Sequence, residues 1–193
     1  LAIIFSVAFC GLFVLGLPMS VVAPSLSQSS GLTFHHASGS AWNGTLHHAS
    51  LGGKELGDLQ LQFNPLYLAL LRTHFFFSFD GLDGSGKGVF ETGLFSYLAL
   101  KNTTMGISIE KFSGQNMLAG AVYLDDVSLV FKQDGCRTAQ GHLSTDVLER
   151  SASTFGWEGP LLDGTLECVD GALRLLLAGS RGVESVRIVT SLF

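Results

Sequence analysis

From Asp58 onward the chain repeatedly alternates apolar and polar positions. Leu59, Leu61 and Phe63 alternate with Asp58, Gln60 and Gln62, and Phe75, Phe77 and Phe79 alternate with His74, Phe76 and Ser78. Met105, Ile107 and Ile109 alternate with Thr104, Gly106, Ser108 and Glu110. Val127, Leu129 and Phe131 alternate with Asp126, Ser128 and Lys132, and Val186, Ile188, Thr190 and Leu192 form a last stripe. A period of two is the strand signature. Five Asp-Gly pairs (Asp80-Gly81, Asp83-Gly84, Asp134-Gly135, Asp163-Gly164 and Asp170-Gly171) suit the positive φ angles of hairpin turns. The pattern predicts a mainly β domain: an antiparallel sheet, curved and open rather than a closed barrel, because some strands are apolar on both faces and others on one. Two short helices are expected. Asn64-Pro65 can start one over Leu66–Arg72, and Ser144 or Thr145 can cap another over Asp146–Arg150.

The first residues do not alternate. Leu1–Leu17 reads LAIIFSVAFCGLFVLGL, and with the residues up to Ala23 it forms an uncharged run of about 20 residues, enough to cross a bilayer as a helix. A buried core helix is one reading, but such helices are usually shorter and keep a polar stripe. A cleaved signal peptide is another, though Pro24 would directly follow a cut after Val21-Val22-Ala23. A retained transmembrane signal-anchor over residues 1–23 fits best. Phe9 before Cys10 is too bulky for a lipoprotein site, so Cys10 reads as an apolar member of the helix. Residues 24–40, rich in Ser, Gly and His, read as a linker, and residues 41–193 as the β-rich domain.

Charge sharpens this division. The first charged residue is Lys54, so all eleven basic and sixteen acidic residues of the 193-residue chain follow Gly53. The net charge of −5 has the wrong sign for a nucleic-acid surface, and the hydrophobic content of 47% excludes disorder.

Few candidates for chemistry survive inspection. Gly81–Gly88 nearly spells a phosphate-binding loop, but Gly88 replaces the hydroxyl residue that would hold Mg²⁺, and Val89-Phe90-Glu91 reads as strand where a helix is needed. A glycine-rich hairpin tip is expected instead, with no nucleotide. His35-His36 and His47-His48 could form a metal site only if their strands paired; without accompanying Cys or carboxylate they read as solvated, and no metal or cofactor is expected. No GxSxG or HExxH occurs, and Asp125-Asp126 alternate faces, so no catalytic residue is assigned and no enzyme activity is expected. Asn43-Gly44-Thr45 and Asn102-Thr103-Thr104 match a glycosylation sequon that occurs often by chance. Cys136 and Cys168 each adjoin an Asp-Gly turn. In an oxidising compartment they can form a disulfide; the alternative is two separate buried thiols.

Taken in order, several segments resemble the N component of the bacterial type II secretion system. The similarity starts at Ser40-Ala41-Trp42-Asn43-Gly44 and runs through Leu59–Pro65 and Leu70-Leu71. It resumes at Cys136 and Gly141, continues through Trp157-Glu158-Gly159-Pro160-Leu161-Leu162-Asp163-Gly164 and closes with Cys168–Leu173. Leu61 stands where that family often carries a second Trp. The resemblance implies a single-pass protein of the inner membrane, held to membrane lipids by its amino-terminal helix, with a periplasmic β domain and no catalytic centre. It implies an accessory role in exporting folded proteins through an outer-membrane secretin, with the C component or the secretin as partners. Trp42, Gly44, Pro65, Trp157, Gly159, Pro160 and Gly164 are then structural residues of the motif.

One feature points to a different class. Phe75, Phe76, Phe77 and Phe79 put aromatic rings on both faces of one strand, so one face is exposed unless something covers it. Either the expected helix after Pro65 covers it, or the stripe is a protein-docking surface or a groove for lipid. An envelope lipid-binding or lipid-transfer protein is therefore the alternative function.

Overall fold

The computed structural model describes residues 16–94, 96–109, 119–151, 156–157, 159–182 and 184–192. Helix α1 (Met19–Ser30) leads into twelve strands: β1 (Leu32–Thr33), β2 (His36–Ser40), β3 (Asn43–Leu51), β4 (Lys54–Phe63), β5 (Arg72–Gly81), β6 (Gly84–Gly93), β7 (Tyr97–Ser108), β8 (Ala121–Lys132), β9 (Gly135–Thr145), β10 (Leu162–Val169), β11 (Ala172–Arg181) and β12 (Glu184–Leu192). A short helix α2 (Val147–Arg150) sits between β9 and β10. The strands form one open antiparallel meander in which, from β3 on, each pairs with the next in sequence. β1 and β2 both pair with β3 and together make a broken edge strand, while the β3–β4 ladder shifts register after Leu46.

The alternating runs all fall on strands. The Asp-Gly pairs divide. Asp83, Asp134 and Asp170-Gly171 occupy turns, the last with φ of 53° and 80°, as a two-residue hairpin needs. Asp80-Gly81 instead ends β5, and Asp163-Gly164 lies inside β10, where a Cβ on Gly164 would run into the Leu176 carbonyl of β11. The helix expected over 66–72 is only a 3₁₀ turn, Pro65–Leu70, and Arg72 already opens β5. Asn64 Oδ1 accepts from the Leu66 N–H (3.1 Å) and starts that turn. The second expected helix is present as α2, with Thr145 Oγ1 accepting from the Val147 N–H (3.3 Å) and Arg150 paired to Asp146 (2.7 Å).

The linker expected over 24–40 is replaced by the rest of α1 together with β1 and β2, so residues ahead of 41 are part of the folded unit, as far back as Leu17, whose carbonyl accepts from the Ala41 N–H. The physical reason is packing. Met19 and Ala23, four apart on one helix face, are buried with Leu32, Leu46, Ala49, Leu56, Leu59 and Phe79. Gly44 permits this approach, since a Cβ there would lie 2.6 Å from Met19 Cγ. Gly31 ends the helix at φ 68°, its N–H bonded to the Ser27 carbonyl (3.2 Å). The apolar run up to Leu15 lies outside the described residues. Among the described residues no helix is long and apolar enough to cross a membrane.

Across the other half of the sheet, the β9–β10 ladder extends only from Thr145/Leu162 to His142/Thr165. Beyond it the strands are joined by a disulfide between Cys136 and Cys168 and by the Cys136 N–H donating to the Gly171 carbonyl (2.7 Å). The bridge closes a loop with a sequence separation of 32. Replacing both cysteines by serine is expected to lower unfolding free energy by about 3–4 kcal/mol, the loop-closure entropy of such a bridge. A shift of the denaturant midpoint, with the β-type circular dichroism retained, checks this.

Candidate functional site

The most distinctive geometry is on the concave face, and it starts from two backbone bonds, one carboxylate and one lysine. At the tip of the β5–β6 hairpin, the Asp83 N–H donates to the Glu55 carbonyl of β4 (3.3 Å), and the Asp83 carbonyl accepts from the Ser108 N–H of β7 (2.8 Å). Asp83 Oδ2 also accepts from the Glu55 N–H (2.8 Å), while Lys54 Nζ donates to the Ser108 carbonyl (2.6 Å). Lys54 and Asp83 are 2% and 8% exposed. In a flat sheet β4 and β7, three strand spacings apart, would be about 14 Å from one another. A single turn residue bonding to both means the sheet is curled here. The sequence that resembles a phosphate loop is thus the hairpin tip that clasps this curl.

Curling gathers the inward side chains of β3–β7 into one groove. Leu32, Leu51, Leu56, Leu59, Leu61, Phe75, Phe77, Phe79, Phe90, Met105 and Ile107 line a cavity of about 440 Å³. Register explains the gathering: Leu59 lies opposite Phe79, Leu61 opposite Phe77, and Phe75 opposite both Phe63 and Phe90. Beside them, Gly86 and Gly88 pair with Phe79 and Phe77. A Cβ on Gly86 would lie 2.8 Å from the Phe79 ring, and one on Gly88 3.0 Å from the Phe77 ring, so the two glycines let these rings lie over β6. Trp42, in the β2–β3 turn, lies tilted against Phe63 at 5.2 Å between ring centroids, and Phe63 is 4.9 Å from Phe75.

Of the four phenylalanines singled out in the sequence, Phe75, Phe77 and Phe79 line this groove and Phe76 does not. It faces the opposite side of the sheet and is 38% exposed. The 3₁₀ turn does not cover the groove; its Tyr67 stacks on His74 (4.4 Å), which shares Phe76's face. The remaining motif residues are spread along the sheet. Gly44 lies under α1, Pro65 opens the 3₁₀ turn, Trp157 is half-buried, and Gly159 and Pro160 are buried beside α2, where a Cβ on Gly159 would strike Leu148. Sequence reading missed Lys54, Asp83 and Ser108, and it missed Phe90, Met105 and Ile107 as neighbours of the phenylalanines. Pairing the Leu59–Phe63 and Phe75–Phe79 stripes as one hairpin was the available signal.

On the convex face, Glu91 is buried and bonded to Lys101 (2.8 Å) and to the Tyr97 hydroxyl (3.2 Å), with His74 at 3.7 Å. Burial raises the Glu91 pKa, but the Lys101 and Tyr97 bonds and the nearby His74 outweigh it and hold the carboxyl below its ordinary value. The Glu91 bond holds the Lys101 ammonium above its ordinary value. The histidine strands do pair. His36 stacks on His47 (4.2 Å) and His35 lies 5.2 Å from His48. Both His47 nitrogens are engaged, Nδ1 with Asp58 Oδ2 (2.9 Å) and Nε2 with Ser38 Oγ (2.8 Å). The Asp58 carboxyl is lowered first by the His48 N–H and then by His47. Among the described residues no group of three or more His, Cys, Asp or Glu is placed to hold a metal ion. At the far edge, β12 carries exposed Ile188 and Val189.

The family model for type II secretion system (T2SS), protein N, matches residues 30–191, from the last residue of α1 to Ser191 in β12. No curated protein and no solved structure matches the chain.

The Glu91 geometry makes a pH prediction. A lowered folded pKa contributes stability that is present above the unfolded pKa and lost as pH falls through the folded value. Glu91→Gln is therefore expected to cost about 1–3 kcal/mol at neutral pH. The deficit relative to wild type should shrink as pH drops below the ordinary carboxylate range, as read from denaturant melts in an acid series.

Proposed function

The chain belongs to the type II secretion system protein N family, which ties it to type II secretion, and from that premise we propose that it serves there as a membrane-anchored, non-catalytic docking component. In this reading the uncharged segment ahead of α1 is a single transmembrane anchor in the bacterial inner membrane. The curled sheet stands in the periplasm, and it supports export of folded proteins through the outer-membrane secretin by contacting the C component or the secretin. The observation that carries the reading is the extent of the family match, which takes in the whole sheet. Two features support the details. The Cys136–Cys168 disulfide suits an oxidising compartment. The absence of any Asp, Glu, Lys or Arg before Lys54 suits a membrane-spanning start.

The experiment has two arms. Deleting the gene is expected to lower the amounts of folded proteins exported to the medium, scored by comparing secretomes, with recovery on complementation. Photo-crosslinking residues placed at Val189 on the edge strand and at Phe76 on the convex face of the full-length protein are expected to capture the C component or the secretin, identified by mass spectrometry. An unchanged secretome together with no crosslink to any secretion component would overturn the proposal.

A further inference from the structure

The two edges of the sheet are built differently. The first is broken into β1 and β2, carries histidine and glycine, and is packed by α1. The last, β12, is continuous. All 9 of its residues pair with β11 without a register shift. It contains neither the Pro nor the Lys that usually guards an edge. Among the described residues no strand pairs with its outer side, where alternate residues offer an N–H and a C=O to an incoming strand. Its composition is that of an inner strand. Val186, Ile188, Val189 and Thr190 are all β-branched. Ile188 and Val189, both exposed, stand on opposite faces, whereas a strand with one solvated face alternates apolar with polar.

The order of residues along β12 selects the strand that fits it. Two copies joined edge to edge about a two-fold axis pair residue i with j and j with i. Directly opposed side chains share a face, so the axis must fall on a residue. The midpoint of Glu184–Leu192 is Ile188, and about Ile188 the strand reads nearly the same in both directions. Ser185 meets Ser191, Val186 meets Thr190, which has the same branched shape, and Ile188 meets itself. Arg187 meets Val189, which keeps the two arginines from opposing each other. An axis at Arg187 would set them face to face, and an axis at Val189 would shorten the overlap and oppose Ile188 to Thr190. We propose that β12 is a homodimer edge, which pairs antiparallel with β12 of a second copy about Ile188 and joins the two sheets into one. The pairing uses the backbone edge and leaves the convex face, with Phe76, to the secretion partners.

The test uses purified full-length protein in detergent, carrying a photoreactive amino acid at Ser185 or at Ser191, both exposed. It is mixed with isotope-labelled copies that lack the probe, so that adducts between copies are recognised by peptide mass spectrometry. A probe at Ser185 is expected to label the other copy around Ser191, and a probe at Ser191 to label it around Ser185. A probe at Leu82, exposed at the β5–β6 tip, is expected to leave β12 unlabelled. Ile188→Lys sets two lysines on the axis and is expected to lower the adduct yield by about tenfold or more, as is Ile188→Glu. Mixing the Lys variant with the Glu variant is expected to restore the yield, a rescue that a merely structural role for Ile188 does not produce. No adduct between copies, adducts that avoid β12, or Ser185 labelling Ser185 would overturn the proposal. So would a mixture of folded variants whose yield stays as low as that of each alone. If circular dichroism shows that the charged variants do not fold, the map from the unsubstituted Ile188 protein decides alone. The secretion role is scored separately, by the secretome and by capture at Phe76, so either reading can fail without the other.

Discussion

The curl of the sheet depends on one turn residue. Asp83 reaches β4 through its N–H and carboxylate and β7 through its carbonyl, and Lys54 adds a bond from β4 to β7. In a meander whose strands pair only with sequence neighbours, this clasp works with the inward packing of Leu59, Phe79 and Met105 and with the bulges in the β4–β5 and β6–β7 ladders to bring β4 and β7 together. Hydrogen bonds to charged groups contribute roughly 1.5–3 kcal/mol each, more than neutral ones. Their burial also excludes the water that would otherwise compete for Glu55 and Ser108. Curvature then does for β5 what a second sheet does in a sandwich. It shields Phe75, Phe77 and Phe79 on the inner side, while the outer side is built around the Glu91–Lys101–Tyr97 cluster and the Tyr67–His74 stack.

The two ends of the meander are secured by different chemistry. At the first edge, α1 lies over the broken β1–β2 strand and buries Met19 and Ala23, an approach that Gly44 allows. Toward the last edge the β9–β10 ladder stops short, and the covalent Cys136–Cys168 bridge takes over from hydrogen bonds. Between them these devices tie an open sheet that has long exposed edges, a feature that proteins usually manage by covering or fastening. β12 is left as the outer strand, with its apolar residues partly in solvent.

Period-two alternation carried the strands and the sheet's antiparallel character, because a strand's side chains must alternate whatever the tertiary context. The pairing of Cys136 with Cys168 was legible from their positions beside turns. Other features were not, for identifiable reasons. Residues 24–40 read as a linker because His36–Ser40 has too few apolar positions to show a period, yet pairing with β3 makes it a strand. Pro65–Leu70 has helical caps, but β5 starts too soon for more than a 3₁₀ turn to form. Asp163-Gly164 carries a turn signature and sits in a strand, because its glycine is needed for close approach to β11. Periodicity also assigns faces without assigning curvature. Phe75, Phe77 and Phe79 could be grouped apart from Phe76 by parity, but not joined to Phe90, Met105 and Ile107. In the sequence Lys54 marked only the point where charge begins; folded, it is a buried clasp.

The central claim is that the buried Asp83 and Lys54 side chains make this clasp strong enough to hold β4 and β7 in a curl and so create the concave groove. Pulsed dipolar spectroscopy between spin-labelled unnatural amino acids at Gln60 of β4 and Thr104 of β7, which lie in one cross-strand row and are both exposed in the fold, measures it most directly. The account predicts one short, narrow distance distribution in the full-length protein. It also predicts a longer, broader one after Lys54→Ala combined with Asp83→Ala. An equally broad distribution in the wild-type protein, or a narrow one that survives loss of both side chains, would contradict it.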